Sequence, residues 1–144
     1  MSDVTLREII VILALVGLVN SLYFTLAYYG RVKKSRWVPE ILCARQGSSC
    51  VTVLQTSYAS VLGVPNTVPG IAYYLLLLGW VAAGDLSVSP WFLRLLIGAS
   101  VGAVILGFYL MYALRFKLHT HCPLCYTAHA INTLLLVLLV LHAI

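Results

Sequence analysis

Long apolar runs, separated by short polar stretches, dominate this chain of 144 residues. A helix needs about 20 apolar residues to cross the hydrocarbon core of a bilayer. The first, third and fourth runs reach that length, and the second does so only if it begins near Pro65–Asn66. The pattern predicts an all-α membrane protein, a bundle of four transmembrane helices. The expected spans cover residues 9–29, 66–84, 91–114 and 122–143.

The segment between the first two spans divides into three parts. Gly30–Glu40 is basic, and Ile41–Cys50 carries two cysteines around a flexible Gln-Gly-Ser-Ser turn. Val51–Leu62 has apolar residues at nearly helical spacing, which indicates an interfacial half-helix that caps the bundle. Gly63–Pro69 is expected to end this half-helix.

Small residues recur at intervals of four in the third span. Gly98 and Gly102 form one pair, and Ala103 and Gly107 form another. Because small residues at this spacing allow helices to approach closely, we predict that the stripe packs against a neighbouring helix.

The composition supports a membrane protein and limits its size. Hydrophobic residues make up 62% of the chain and charged residues only 9%, whereas soluble domains are about 45–50% apolar. We therefore expect one integral-membrane domain over residues 1–144. The net charge of +5 is better explained by basic residues next to the spans than by nucleic-acid binding, because no basic stripe is interleaved with aromatic residues.

The motif Cys122-Pro123-Leu124-Cys125 stands at the start of the fourth span. A helix N-terminus stabilises a thiolate through its positive dipole end and its unpaired N–H groups, and proline suits the first helical turn. The two-residue spacer lets the sulfurs form an exchangeable disulfide, and such pairs are more often redox-active than structural. Cys125 lies one turn deeper, where a lipid-soluble oxidant can reach it.

The other cysteine pair, Cys43 and Cys50, lies in the loop after the first span. A pair separated by six residues in such a loop can move, so one thiol can attack the deeper disulfide while the other meets an external partner. The alternatives are two static structural disulfides, one disulfide between the loop and the helix, and a zinc site. The wide separation of the loop pair disfavours zinc, which usually takes two closely spaced pairs.

The order of these motifs resembles the vitamin K epoxide reductase family, in which a separated loop pair precedes C-x-x-C at the fourth span. The other quinone-linked disulfide-forming family of bacteria has the reverse order. The resemblance covers roughly residues 10–140. Besides the cysteines, its matching residues are Val53-Leu54, Tyr58-Ala59, Gly63-x-Pro65, Asn66, Pro69-Gly70, Tyr109-Leu110 and Ala130-Ile131-Asn132.

The resemblance implies an electron relay through the four cysteines, without a metal. Cys43 would exchange with a thioredoxin-like or disulfide-isomerase-like protein, and Cys50 would pass the electrons to Cys122. Cys125 would then reduce a quinone of the menaquinone or ubiquinone type. Many bacterial relatives carry a fused thioredoxin-like domain, whereas this sequence stops at Ile144, so the partner is expected to be a separate protein.

The resemblance also implies a quinone site. Asn66 aligns with an asparagine that contacts the quinone in animal members, and Thr56 with a hydroxyl residue of the family. His129 stands where animal members have tyrosine, so it is expected to donate a proton, and vitamin K epoxide is not predicted as a substrate. Other candidate lining residues are Tyr58, Tyr73, Leu54, Leu110, Leu114 and Leu118.

These assignments have structural alternatives. Asn66 can instead cap a helix, and His129 can be a polar group satisfied inside the bundle. An ionisable residue within a membrane span is nevertheless a functional candidate by default. For the aromatic and leucine candidates, simple packing is an equal alternative.

Basic residues are distributed unevenly between the two faces of the predicted bundle. Arg7 and Arg94 lie on the face away from the cysteines, and all the others lie on the cysteine face. Because basic loops stay cytoplasmic, we expect a cytoplasmic active face, which inverts the usual family orientation. Such a face suits a prokaryotic plasma membrane, especially that of a thermophile, because hyperthermophiles keep disulfide-rich intracellular proteins. The alternative is that the basic residues bind an acidic partner or lipid and that the active face is external. The basic residues of the cysteine face are Arg31, Lys33, Lys34, Arg36, Arg45, Arg115 and Lys117.

The sequence therefore predicts a membrane thiol:quinone oxidoreductase that drives protein disulfide formation. A non-catalytic four-span protein with structural disulfides is the alternative. A small channel or transporter subunit is not supported, because no span holds a charge pair or a broken-helix repeat.

Overall fold

The computed structural model describes residues 3–31, 49–83 and 90–144. Cys43 and most of the basic loop after the first helix lie outside the described residues. The described part is mainly helical, and it also contains a short hairpin that the all-α prediction did not include. The elements are α1 (Asp3–Tyr28), α2 (Ser49–Leu54), a 3-10 turn (Ser57–Ala59), β1 (Ser60–Val61), β2 (Val64–Pro65), α3 (Thr67–Ala82), α4 (Pro90–Tyr112), a π-helical turn (Ala113–Lys117) and α5 (Pro123–Ala143).

Three described helical segments are long and apolar enough to cross a membrane. These segments are Val4–Tyr28, Pro90–Lys117 and Pro123–Ala143. Helix α3 is also apolar but has only 16 residues. At 1.5 Å per residue it rises about 24 Å, which is less than the roughly 30 Å of a typical hydrocarbon core.

Helix α1 packs against both α3 and α5, while α4 packs mainly against α5. Gly17 allows the close approach of α1 and α3, because a Cβ atom at this position would overlap the Tyr74 ring. The main core lies in the half of the bundle away from the cysteine motif. Its buried residues are Leu6, Ile10, Ala14, Tyr73, Tyr74, Leu77, Trp80, Val81, Leu96, Ile131, Leu135 and Leu139.

Two tyrosines of α3 tie this helix to its neighbours. The Tyr73 hydroxyl lies 2.6 Å from Ser100 Oγ on α4. Ser100 donates its own proton to the Leu96 carbonyl at 2.8 Å, so the tyrosine is the donor of the pair. The next residue, Tyr74, donates to Asn132 Oδ1 on α5 at 2.7 Å. These bonds satisfy polar groups inside the bundle, where an unpaired group would be costly.

The predicted half-helix over Val51–Leu62 is wrong in its extent, because α2 ends at Leu54. Thr56 Oγ1 donates to the Val53 carbonyl at 2.6 Å. Such a local side-chain bond gives the backbone an alternative to continued helix. The chain then passes through the 3-10 turn into the hairpin.

A two-residue turn joins β1 and β2, which pair in antiparallel register with Val61 opposite Val64. Its central residues both have positive φ, 54° for Leu62 and 82° for Gly63. Turns of this kind match the twist of the flanking strands. The hairpin returns the chain to Asn66 at the start of α3.

The small-residue stripe of α4 does not pack as predicted. Among the described residues, a Cβ atom at Gly98 or Gly102 would meet nothing within 4 Å. A Cβ at Gly107 would lie 2.7 Å from Nδ1 of His129 on α5. Only this last glycine of the stripe therefore permits a close approach, and that approach is to a side chain rather than to a helix backbone.

Candidate active site

One end of the bundle brings together the C-terminal part of α1, helix α2, the π-helical turn and the start of α5. Cys122 is fully buried there. The π-helical turn places Leu114 in the same cluster, and π-helical turns are frequent at functional sites. We call this set the cysteine-end cluster. Its buried members are Phe24, Val53, Leu54, Leu114 and Cys122, with Leu118, Leu124 and Cys125 packed against them.

Cys122 and Cys125 form a disulfide with their Cα atoms 5.2 Å apart. Cys122 is the N-cap residue of α5 and has extended backbone angles, while Pro123 occupies the first helical turn. The Cys125 N–H donates to Cys122 Sγ at 3.3 Å. The start of α5 therefore places an N–H donor at the sulfur of the first cysteine, as the sequence predicts for a thiolate-stabilising helix end.

A cavity beside this disulfide, the inner cavity, has a volume of about 60 Å³. Cys125 lines it, whereas Cys122 lies behind in the packed cluster. Two polar side chains suited to a ligand oxygen, Asn66 and His129, are in the wall. The remaining lining residues are Phe24, Val53, Leu54, Ala59, Thr67, Leu110, Leu114 and Ala128.

A second cavity, the side cavity, lies between α3 and α4 and has a volume of about 280 Å³. It shares Asn66, Leu110 and His129 with the inner cavity, so the two adjoin. Small residues of the α4 stripe form one wall of this cavity. Gly102 is one of them, and the space beside it is part of the cavity. The other lining residues are Val61, Pro69, Gly70, Tyr73, Ala99, Ala103, Leu106, Gly107 and Asn132.

His129 is the residue on which these cavities converge. It also lines a third space of about 430 Å³ on the outer side of α4 and α5, beside Phe108 and Leu134. Within the described residues, its Nδ1 atom is buried and has no hydrogen-bond partner. The structural alternative is that a hydrogen-bond partner inside the bundle satisfies this histidine. The described residues provide no such partner for its Nδ1 atom.

Asn66 occupies the N-cap position of α3, but its side chain makes no capping hydrogen bond. Its backbone N–H donates to the Ala59 carbonyl at 2.8 Å, which closes the base of the hairpin. The side-chain amide lines both the inner and the side cavity. The capping alternative for Asn66 therefore does not describe this side chain.

Other predicted quinone contacts lie in different places. Thr56 and Tyr58 are not among the residues that line these three cavities. The Thr56 hydroxyl is bonded to the Val53 carbonyl, and the Tyr58 ring packs against Tyr109 with centroids 6.1 Å apart. Leu54, Leu110 and Leu114 line the inner cavity, Tyr73 lines the side cavity, and Leu118 packs against the cysteine-end cluster.

Sequence reasoning did not assign several residues to this site. Phe24 and Thr67 line the inner cavity, and Gly107 makes room for the His129 ring. Asn20 on α1 donates to the Leu124 carbonyl inside the C-x-x-C motif at 3.2 Å. A signal existed for Asn20, because an isolated polar residue within a membrane span is a functional candidate.

The fold and the site together define a helical membrane protein with a disulfide beside an apolar cavity. Residues 8–140 match the Vitamin K epoxide reductase family, so the chain belongs to that family and the predicted resemblance is confirmed. The comparison with curated proteins found no match. Members of the family are generally quinone-dependent oxidoreductases of membranes and interact with thioredoxin-like proteins.

Proposed function

We propose that this protein oxidises a thioredoxin-like partner and transfers the electrons to a membrane quinone, which drives protein disulfide formation. Cys43 and Cys50 act as the shuttle pair, and Cys122 and Cys125 as the quinone-reducing pair. The observation that carries the proposal is that Cys125 of a disulfide lines a cavity together with Asn66 and His129.

The cavities have the character that a quinone requires. Binding sites for small lipophilic molecules are mostly apolar, with a few placed polar groups. The inner cavity offers apolar walls and two such groups, and the adjoining side cavity has room beside the small residues of α4. In this proposal the quinone ring lies near Cys125 and the apolar tail extends toward the side cavity. Leu110 is in the wall of both cavities, and Tyr73 is in the wall of the second.

Each residue of the site has a proposed role. A bound quinone accepts two electrons and two protons. Cys125 reacts from the side of the cavity, Cys122 forms the disulfide with it, and the two thiols lose two electrons and two protons as the S–S bond forms. Asn66 donates a hydrogen bond to a quinone oxygen, and His129 supplies a proton from its imidazole.

The position of Cys50 supports transfer to the deeper pair. Cys50 belongs to α2, the helix that also carries Val53 and Leu54. Val53 and Leu54 pack in one cluster with Cys122. A small movement of α2 would bring the loop thiol to the buried disulfide, with Thr56 and Tyr58 supporting the segment that follows.

We also propose four membrane spans, with α3 as the second. Helix α3 packs along α1, and protein contacts at its ends allow a helix shorter than the bilayer. Under this topology the cysteine-bearing loop and the start of α5 face the same side.

The test is quinone reduction by the purified full chain with a small dithiol as donor. Menaquinone and ubiquinone analogues are compared. The wild-type protein should turn over, and Cys125→Ser should be inactive with every donor. Cys50→Ser should keep activity with a small dithiol and lose it with a thioredoxin-like protein, because only the shuttle step is removed.

The alternative of purely structural disulfides predicts different results. Wild-type protein would then give no turnover with any quinone, the disulfides would resist mild dithiol, and removing one cysteine would unfold the bundle. Turnover that survives in Cys125→Ser would also overturn the proposed assignment of the quinone-reducing thiol.

We propose a cytoplasmic active face from the basic residues. Among the described residues, Arg31, Arg115 and Lys117 lie at the cysteine end. Arg7 lies at the opposite end, where it donates to the Val81 carbonyl at 2.9 Å. The orientation is tested by treating intact cells with a membrane-impermeant thiol reagent and measuring the labelling of Cys43. Reduced Cys43 should be protected in intact cells and labelled after lysis, and labelling in intact cells would refute the inverted topology.

A further inference from the structure

We infer that Asn20 is a positioning residue that stabilises the thiolate form of Cys122 through the peptide group between Leu124 and Cys125. The inference rests on the proposed function, because it concerns the reduced form of the quinone-reducing pair. It concerns a side chain on α1 that contacts no cavity described above.

Two hydrogen bonds meet on one peptide group. The Asn20 Nδ2–H donates to the Leu124 carbonyl oxygen at 3.2 Å. The N–H of the same peptide unit belongs to Cys125, and it donates to Cys122 Sγ at 3.3 Å. A continuous chain therefore runs from the amide of α1, across one peptide bond, to the sulfur at the start of α5.

Such a chain is cooperative. A donor at a carbonyl oxygen draws electron density from the amide and makes its N–H a stronger donor, by about 10–30% per bond. The N–H then interacts more strongly with a thiolate than with a thiol, since hydrogen bonds to charged groups are the stronger ones. Asn20 thus favours the charged form of Cys122.

The surroundings of Cys122 make this contribution significant. The residue is fully buried against Phe24, Val53, Leu54 and Leu114. Apolar burial disfavours a thiolate, so a hydrogen bond such as the one from the Cys125 N–H contributes to stabilising the charge. Asn20 itself is only 9% exposed, which protects its bond to Leu124 from competition by water.

A Cys122 thiolate would take part in two steps of the proposed relay. In the dithiol state, a charged Cys122 is ready to form the S–S bond with Cys125 as the electrons leave. A stabilised thiolate also stabilises the reduced form of the pair, which makes its disulfide a stronger oxidant of the shuttle cysteines. Asn20 would therefore influence both halves of the relay.

The first experiment isolates the Cys122 thiol in the full-length chain. In a background carrying Cys43→Ser, Cys50→Ser and Cys125→Ser, Cys122 is the sole cysteine, and the backbone N–H at position 125 remains. Thiolate absorbance and the rate of alkylation by a small reagent are followed against pH. Adding Asn20→Leu should reduce the thiolate population at neutral pH by about 1.3-fold to 4-fold, because it removes about 10–30% of the strength of one charge-assisted hydrogen bond.

The second experiment measures the Cys122–Cys125 pair in a background with only the two loop cysteines replaced. The ratio of disulfide to dithiol is determined in a defined thiol buffer. Asn20→Leu should shift this ratio toward the disulfide by a similar factor. Asn20→Gln keeps an amide donor, so its shift toward the disulfide should be smaller.

Thr25→Val is the matched control on the same helix. Thr25 Oγ1 donates to the Ser21 carbonyl and bonds Thr67 on α3 at 2.8 Å, so its removal also breaks a link between helices. It should leave both readouts unchanged. Equal shifts in Thr25→Val and Asn20→Leu, or no shift in Asn20→Leu, would overturn the inference. Neither measurement uses a quinone or partner protein, so the result is separate from that of the proposed function.

Discussion

At the scale of single residues, the site depends on two polar side chains, Asn66 and His129, that line the inner cavity. Asn66 stands at the start of α3 without capping it, and Nδ1 of His129 is buried without a hydrogen bond in the described part of the chain. Buried polar groups in native proteins are nearly always paired, and exceptions often have a functional reason. Both side chains line the inner cavity, which is why they carry the proposal for a quinone.

Asn66→Ala separates the binding role from the capping role. A lost cap costs about 1 kcal/mol of stability, but no capping bond exists here, so the free energy of unfolding should change by less than about 0.5 kcal/mol. The KM for quinone should rise by about 2-fold to 10-fold, the effect of one hydrogen bond. Denaturant titration and steady-state kinetics check both. Lost stability with unchanged KM would contradict the assignment.

Gly107→Ala tests the close approach of α4 to the imidazole. The new Cβ would lie 2.7 Å from His129 Nδ1, so the ring must move, at a cost of about 1–3 kcal/mol. Both stability and quinone reduction should fall. The control on the same helix is Gly98→Ala, where a Cβ meets nothing within 4 Å in the described part of the chain and helix propensity favours alanine by about 1 kcal/mol. If the control loses as much as Gly107→Ala, the cause is not the contact with His129.

At the scale of elements, the hairpin and the small-residue stripe show why the helical spacing misled the prediction. The spacing over Val51–Leu62 reports where apolar side chains recur, but it does not show where local bonds end a helix. Thr56 and the turn at Leu62–Gly63 end the regular pattern early. Likewise, glycines spaced for helix contact can instead leave room for a cavity when the neighbouring helix diverges.

Leu62→Asn tests the strain in the hairpin turn. Leu62 has φ of 54° and is almost completely exposed. This left-handed conformation costs a branched residue roughly 1 kcal/mol, and asparagine tolerates it far better. The variant should be more stable by about 0.5–1 kcal/mol in detergent, as measured by denaturant titration. Gly63→Ala, at φ of 82°, is the converse variant and should be destabilised. A stabilised Gly63→Ala would contradict the reading of this turn.

At the scale of the whole molecule, the stable core and the reactive site occupy opposite halves of the bundle. The main core around Ile10, Leu77 and Leu135 is fully buried. The inner cavity lies between α2, the 3-10 turn, the π-helical turn and parts of α1, α3, α4 and α5, so short elements form part of its wall. Elements with few buried contacts open most readily, so this arrangement lets the cysteine end move while the bundle stays folded.

Quinone binding should stabilise the entire fold. A ligand that binds only the folded state adds about 2.7 kcal/mol at 100 times its Kd. The thermal unfolding midpoint of the wild-type chain in detergent should therefore rise with added quinone and rise less in Asn66→Ala. Equal shifts in the two proteins would show that Asn66 is not part of the binding site.

Some features of this protein follow from the sequence alone. The apolar runs indicate membrane helices because the bilayer imposes a length and composition on each span independently of its neighbours. The order of the cysteine motifs and the proline after Cys122 can also be read directly from the sequence. The first indicated the family, and the second indicated the start of α5.

Only the tertiary structure decided which side chains meet. The convergence of Asn66, His129 and Cys125 on one cavity, and the bond from Asn20 to Leu124, join residues far apart in the chain. Their geometry depends on how α1, α3 and α4 cross α5. Periodicity reports which face of a helix is apolar, but it does not report the partner of that face, because helix association in a membrane is decided by packing and hydrogen bonds between segments.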